Sequence, residues 1–394
     1  MLVFLLLISF IAQATRSPVY LVPGLMSSII EMKVNVSPSY SPWPSKCDRT
    51  KSQFRAWLNL KGSLPSKDEC YYNYLHGVWN NVTNKMENIP GIESIIPKDD
   101  GDTYAIDTMA PVILAKRFTH MFNKLISHLE KKGYKQKFDL YGMPYDWRSN
   151  DLPSTFYETF KNRIIEGNKN TGKKAVIVTH SMGMYVMYKA LDYFGEDFTT
   201  QYIDKFLMVS APVYGSALSV KEVLLGENIG LPIDEQLSKD LSRTIQSVLS
   251  LSPNPEHWPQ EPIVTFKGNG KEYYAKDLAD LFETDPLMKD KARYILDNSI
   301  KPFFEKYNWT IPFGVDTYCA YSLGSETPDK IVYEGDNTDS ASTVIYSDGD
   351  KLVNKHSLEG CSLMTKKVTY LGKYAHVKCL ESDELFNLVD SLVL

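Results

Sequence analysis

The chain lacks any concentration of charge of one sign: its 43 lysines and arginines are scattered among 48 aspartates and glutamates, and the formal net charge is −5. Without a basic patch there is no electrostatic footprint for nucleic acid, and that partner is set aside. No apolar run after the N-terminus is long enough to span a bilayer. Internal repeats, low-complexity tracts and long flexible linkers are missing too, and no pattern calls for a metal or a cofactor. Cysteine is sparse, with five in 394 residues, an odd number that leaves one thiol over if the rest pair.

What is present suits a large α/β core. Hydrophobic residues make up 43% of the chain and aromatics 12%, enough for one big domain with insertions or for two domains. The first fourteen residues carry a short apolar run that ends in Ala12-Gln13-Ala14. This has the form of a secretory signal peptide over 1–14, although the usual basic start is missing and an uncleaved anchor stays open. Export to an oxidising compartment favours disulfides. Pairing within local segments suggests Cys47 with Cys70 and Cys319 with Cys361, each worth roughly 3–4 kcal/mol. Cys379, in an apolar stretch, is then a buried inert thiol. The sequons at Asn35, Asn81 and Asn308 fit an exported chain.

Short β-branched and aromatic runs alternate with helix-like segments, which predicts a mostly parallel, doubly wound sheet. Strands are expected at 18–22, 138–141, 175–179, 206–210, 318–321, 344–346 and 368–371. Helices are expected from about Ala115 to Lys132, from Ser154 to Asn168, and from Ser382 to Val393 with Ser382 as N-cap. Two stretches break the alternation, at about 31–111 and 215–312, and are expected to be cap segments inserted over the sheet.

Residues 175–184, AVIVTHSMGM, hold the main chemical signal. An apolar strand breaks into His-Ser-Met-Gly and then into a helix-compatible stretch, as in a nucleophile elbow. Gly183 supplies the small residue required two positions after the serine. Thr179 stands where the G-x-S-x-G pattern has its first glycine.

A serine nucleophile needs a base, a carboxylate to orient the base, and donors for the acyl oxyanion. In α/β-hydrolases the chain order is Ser, Asp or Glu, then His. Asp350, in Ser347-Asp348-Gly349-Asp350 after a short strand, is the chosen acid. Asp348 competes, and a turn in which both aspartates merely bond local amides is the plain alternative. His376 follows the last strand and is the chosen base. His180 is expected to project away as a packed structural histidine, and His356 to be solvated. Met182 N–H and Leu25 N–H, the latter in the loop Val22-Pro23-Gly24-Leu25, are the oxyanion candidates.

Taken together these segments resemble the lecithin:cholesterol acyltransferase family over almost the whole mature chain. The resemblance runs through the 18–24 run PVYLVPG, Trp57-Leu58-Asn59-Leu60 inside the first cysteine loop, Pro144-Tyr145-Asp146-Trp147-Arg148, HSMG at 180–183, Ala211-Pro212, Glu326-Thr327-Pro328, the DGD turn at 348–350 and the late histidine. It implies an α/β-hydrolase core with a cap and lid, the triad Ser181, Asp350 and His376, oxyanion residues Leu25 and Met182, and the two disulfides. It also implies that Trp57 is an exposed membrane-contacting aromatic, where composition alone would bury it. The sequence departs from the family at Val213-Tyr214, in place of Trp-Gly, which bears on the acyl pocket. Leu352 replaces a threonine of the acid turn, and Met26-Ser27-Ser28 replaces Leu-Gly-Asn.

The expected activity is transfer of a phospholipid acyl group through a serine acyl-enzyme, either to water or to a lipid alcohol such as a sterol or diglyceride. It would act at a membrane or lipoprotein surface, in a secreted or endomembrane, lysosomal setting. A general lipase or esterase, and a non-catalytic secreted lipid-binding protein, are the rival readings. The sequence leaves oligomeric state open.

Overall fold

The computed structural model describes residues 16–60, 68–109, 120–227 and 234–393. The expected signal peptide lies outside these residues.

Six strands form a wholly parallel central sheet: β1 (Val19–Val22), β2 (Leu140–Gly142), β3 (Ala175–His180), β4 (Ile203–Val209), β5 (Asp316–Tyr321) and β6 (Val368–Tyr370), in the order β6-β5-β4-β3-β1-β2. Their apolar runs are nearly continuous because both faces are covered. Alternate residues feed opposite layers. Val19, Leu21, Val176, Val178, Leu207 and Val209 pack on one side with α1 (Asn123–Lys131), while Tyr20, Val22, Ile177, Phe206 and Met208 pack on the other with α2 (Ser154–Thr171) and α3 (Gly183–Tyr202). A fourth helix, α4 (Ala217–Leu225), lies among the inserted segments, and α5 (Asp383–Val393) closes the α1 side. This is the α/β-hydrolase fold.

After β2 the chain returns to the other side of β1 before running on outward through β4, β5 and β6. The strand order therefore reverses at β1 and β3, and a crevice opens beyond their carboxyl ends. The loop after β1 and the turn after β3 meet there.

The helix expected from Ala115 begins at Asn123 among the described residues; Met121 and Phe122 precede it, and Phe118 lies outside them. Ser382 does cap α5, its Oγ accepting the Leu385 N–H at 3.2 Å. The run 344–346 belongs to a different sheet: it is part of Ser342–Gly349, antiparallel to Ser325–Tyr333 in a four-stranded sheet with Val264–Phe266 and Lys271–Tyr273. Most of its residues, Ile345 and Tyr346 among them, are exposed, as suits an edge strand of an antiparallel sheet rather than a buried parallel one.

The first non-alternating stretch forms a three-stranded antiparallel sheet from Ile30–Asn35, Thr50–Trp57 and Ile92–Ile95, with helix Asp68–Leu75 beside it. Cys47–Cys70 closes this segment, and Cys319–Cys361 ties β5 to the chain after the acid turn. Among the described residues no helix is long and apolar enough to cross a membrane.

Candidate active site

The turn between β3 and α3 puts Ser181 in the left-handed region at φ 54°, and the Ser181 amide donates to Val209 O at 2.9 Å. A non-glycine residue there is strained, and such strain gathers at functional sites. Met26 (φ 59°) and Lys351 (φ 85°), in the loop after β1 and in the turn that carries Asp350, share it. Close packing explains two glycines. A Cβ on Gly183 would lie 2.6 Å from the carbonyls of Val22 and Pro23, and one on Gly24 would lie 2.8 Å from Ser181 Cβ. Thr179, where glycine is usual, is fully buried and donates its hydroxyl to Leu207 O at 3.3 Å, so a larger residue fits the strand there.

Asp350 and His376 lie side by side. His376 Nδ1 lies 2.6 Å from Asp350 Oδ2, and the His376 amide donates to Asp350 O at 2.7 Å. Asp350 is completely buried, and its Oδ1 accepts the amides of Leu352 (3.1 Å) and Val353 (2.8 Å). With Nδ1 on the carboxylate, His376 keeps Nε2 as the lone-pair nitrogen. Asp348 is exposed and accepts the Gly324 amide at 2.7 Å, a bond across to the start of the facing strand that keeps it out of the site. The hydroxyl missing at Leu352 has a counterpart in Thr327, whose Oγ1 accepts the Lys351 amide at 3.0 Å.

Ser181 and His376 line one cavity, most of whose wall is apolar. No hydrogen bond joins Ser181 Oγ to the His376 ring among the described residues; such contacts are often long without substrate and tighten in the reacting complex. Leu25 also lines the cavity, and Met182 is buried at the start of α3. Neither the Leu25 nor the Met182 amide donates to a protein acceptor among the described residues.

Three aromatic side chains hold the loop after β1. Tyr145 donates to Pro23 O at 2.8 Å, Trp147 to Ser28 O at 3.1 Å and Trp57 to Met26 O at 2.8 Å. Arg148, fully buried, is anchored on Asp146 and also donates to Leu75 O and Asn88 Oδ1. The 144–148 run is thus a brace that joins the 31–111 stretch to the loop after β1. Sequence reasoning marked this run as distinctive without its role. Hydrogen-bonding aromatics after a strand were the available signal.

Several expectations change. Trp57 is not exposed: it is 3% accessible, edge-on to Trp147 at 5.0 Å, and its indole N–H is committed to the loop. An aromatic with its polar group satisfied inside gains more from burial than from solvent exposure. His180 does not project away. Its ring packs 4.7 Å from that of His376, and its Nε2–H donates to His376 O at 3.1 Å. Burial, then the nearby His376, push His180 down to about 3, so it stays neutral and supports the His376 backbone. His356 is half-buried against Trp258 at 4.1 Å, and burial pushes it down. Val213 and Tyr214 line a separate pocket, with Tyr214 stacked on His257; of the family's altered segment only Pro212 reaches the catalytic cavity. Cys379 is buried, donates to His376 O at 3.0 Å, and is pushed up to about 12 by burial, which leaves the thiol inert.

Comparison with known proteins gives a consistent picture. The family model for lecithin:cholesterol acyltransferase matches residues 53–294. A phosphatidylcholine-sterol acyltransferase from Gallus gallus is 28% identical over 380 residues, 95% of this chain and 87% of the relative. A lysosomal phospholipase A and acyltransferase from Canis lupus familiaris is 28% identical over 349 residues, 88% and 82%. A chain of the Tle4–Tli4 complex superposes with TM-score 0.51 at 13% identity, over 95% of this chain and 98% of that one, a likeness of fold alone.

Proposed function

Because the chain belongs to the lecithin:cholesterol acyltransferase family, we propose that it is a lipid O-acyltransferase and phospholipase A that works through a serine acyl-enzyme. One observation carries this reading: the buried Asp350–His376 pair, 2.6 Å apart, opens onto the same largely apolar cavity as the strained Ser181 turn.

In this mechanism Ser181 Oγ attacks the acyl carbonyl of a phospholipid while His376 Nε2 takes its proton. Asp350 orients the ring and stabilises the imidazolium. The Leu25 and Met182 amides hold the oxyanion. His376 then gives the proton to the leaving lysophospholipid oxygen. Water or a lipid alcohol, deprotonated in turn by His376, resolves the acyl-enzyme, giving a free fatty acid or a new ester. Exclusion of water from the cavity decides the balance.

Leu218, Ser219, Val248 and Leu251, all from the 215–312 stretch, line the cavity, which supports a cap role for that segment. The 31–111 stretch, fixed to the oxyanion loop through Trp57, is assigned the same role. The substrates are lipids of a membrane or lipoprotein surface. We assign the protein to the secretory route, secreted or lysosomal, with residues 1–14 removed and Asn35, Asn81 and Asn308, each exposed, glycosylated. Mass spectrometry of the exported protein checks both modifications.

The decisive experiment is Ser181→Ala on phosphatidylcholine liposomes, with and without a sterol or diglyceride acceptor. Turnover should fall by on the order of a million-fold; a tenfold loss would mean another nucleophile. Wild-type activity confined to triacylglycerol or soluble esters would mean a general lipase instead.

A further inference from the structure

Beyond its serine and histidine end, the cavity has one carboxyl group among the described residues that line it, that of Glu222 on α4. Glu222 is 8% exposed, and among the described residues its side chain makes no hydrogen bond or ion pair. The adjacent cation, Lys221, is engaged by Glu227. Burial, then the Glu227 charge, push the Glu222 carboxyl up to about 8, so at neutral pH it is a carboxylic acid with an unused donor and an unused acceptor.

A second, smaller cavity adjoins the first, with Trp57, Trp147, Leu75 and Ile245 in its walls. Met26, Glu222 and Val248 line both cavities. A chain that starts at Ser181 and extends into the second cavity therefore runs past Glu222. A hydrocarbon passing that point leaves the carboxyl desolvated and unpaired, which is unfavourable, whereas an oxygen on the chain satisfies it.

We propose that Glu222 is a specificity-determining residue that selects acyl chains bearing a hydroxyl or similar hydrogen-bonding oxygen over plain hydrocarbon chains of the same length. The proposal rests on the acyl-transfer reading above. A site built to hydrogen-bond a substrate hydroxyl rejects the analogue that lacks it, because the protein group is left without a partner.

The test uses p-nitrophenyl octadecanoate and isomers with a single hydroxyl at successive chain positions, in mixed micelles, with wild type, Glu222→Gln and Glu222→Leu. Wild type should favour at least one hydroxylated isomer by about tenfold in kcat/KM, as one added hydrogen bond provides. Glu222→Gln should keep most of that preference. Glu222→Leu should bring the ratio close to one, chiefly by improving the unsubstituted ester. Glu222→Met serves as a second apolar variant if the leucine protein does not fold. An indifferent wild type, or a preference that survives both apolar variants, overturns the proposal. If the folded wild type turns over none of these esters or phosphatidylcholine, the acyl-transfer reading itself fails, and the Glu222 assignment with it.

Discussion

Two buried carboxyl groups serve one cavity, and they differ in what surrounds them. Asp350 accepts two backbone amides and the His376 ring, so it is held in one position by fixed donors. Glu222 is nearly as buried but has no such donors, and it is pushed up to about 8. Burial alone therefore does not set what an acid does; the supply of partners does. The Ser181 and His376 end of the cavity is preorganised, while the apolar end leaves a polar group for a ligand to satisfy.

The strongest test of the contrast is Asp350→Asn. The amide keeps the shape of the turn but favours the wrong ring tautomer, and kcat should drop by about ten-thousand-fold with little change in thermal stability. Loss of only tenfold would show that the backbone cradle, not the charge, matters at that end.

Trp57→Ala probes the other end, where the indole packs on Trp147 and ties down Met26. Removing a buried tryptophan should cost about 3–5 kcal/mol of stability, read as a lower denaturation midpoint. Hydrolysis of liposomal and soluble esters should fall together. A loss confined to liposomes would restore the membrane-contact role that its burial contradicts.

Gly24→Ala returns to the catalytic end with a smaller change. The new Cβ would meet Ser181 Cβ at 2.8 Å and His180 O at 3.1 Å. A displacement of that kind should cost about a hundredfold in kcat while substrate binding holds. An unchanged kcat would mean that the loop gives way without disturbing the nucleophile.

The same contrast governs what the sequence discloses. The preorganised end is legible because local chemistry writes it: a strand breaking at His-Ser-Met-Gly, an aspartate turn after a strand, a histidine past the last one. Thr179 blurred the elbow only because glycine is not needed where the hydroxyl can bond Leu207 O. The apolar end is built from long-range contacts, and there pattern reading fails. Trp57 could be an exposed anchor or a core residue until Trp147 and Met26 are seen beside it. Lys221-Glu222 looks like an ordinary solvated pair, yet most of α4 is buried around its circumference, so no polar face exists for period-based reasoning to find. The run 344–346 reads as a strand, but counting it in the parallel sheet misplaces it, because its partner, 325–333, lies outside the alternation.

The finest comparison of the two acids is a stability profile of Glu222→Gln against pH. The folded-state value of Glu222 lies near 8, above its ordinary 4.5, so the folded protein keeps a proton that the unfolded chain releases. Stability from this group is therefore complete below about pH 4.5, falls as pH rises toward 8, and levels off above it. Glutamine does not titrate and keeps the neutral shape. The variant should match wild type near pH 4.5 and become more stable by up to about 5 kcal/mol above pH 8, the free energy of moving the carboxyl from 4.5 to about 8. A constant offset across the range would mean that Glu222 stays ionised in the fold, paired with a cation, and that the apolar end of the cavity is as preorganised as the catalytic one.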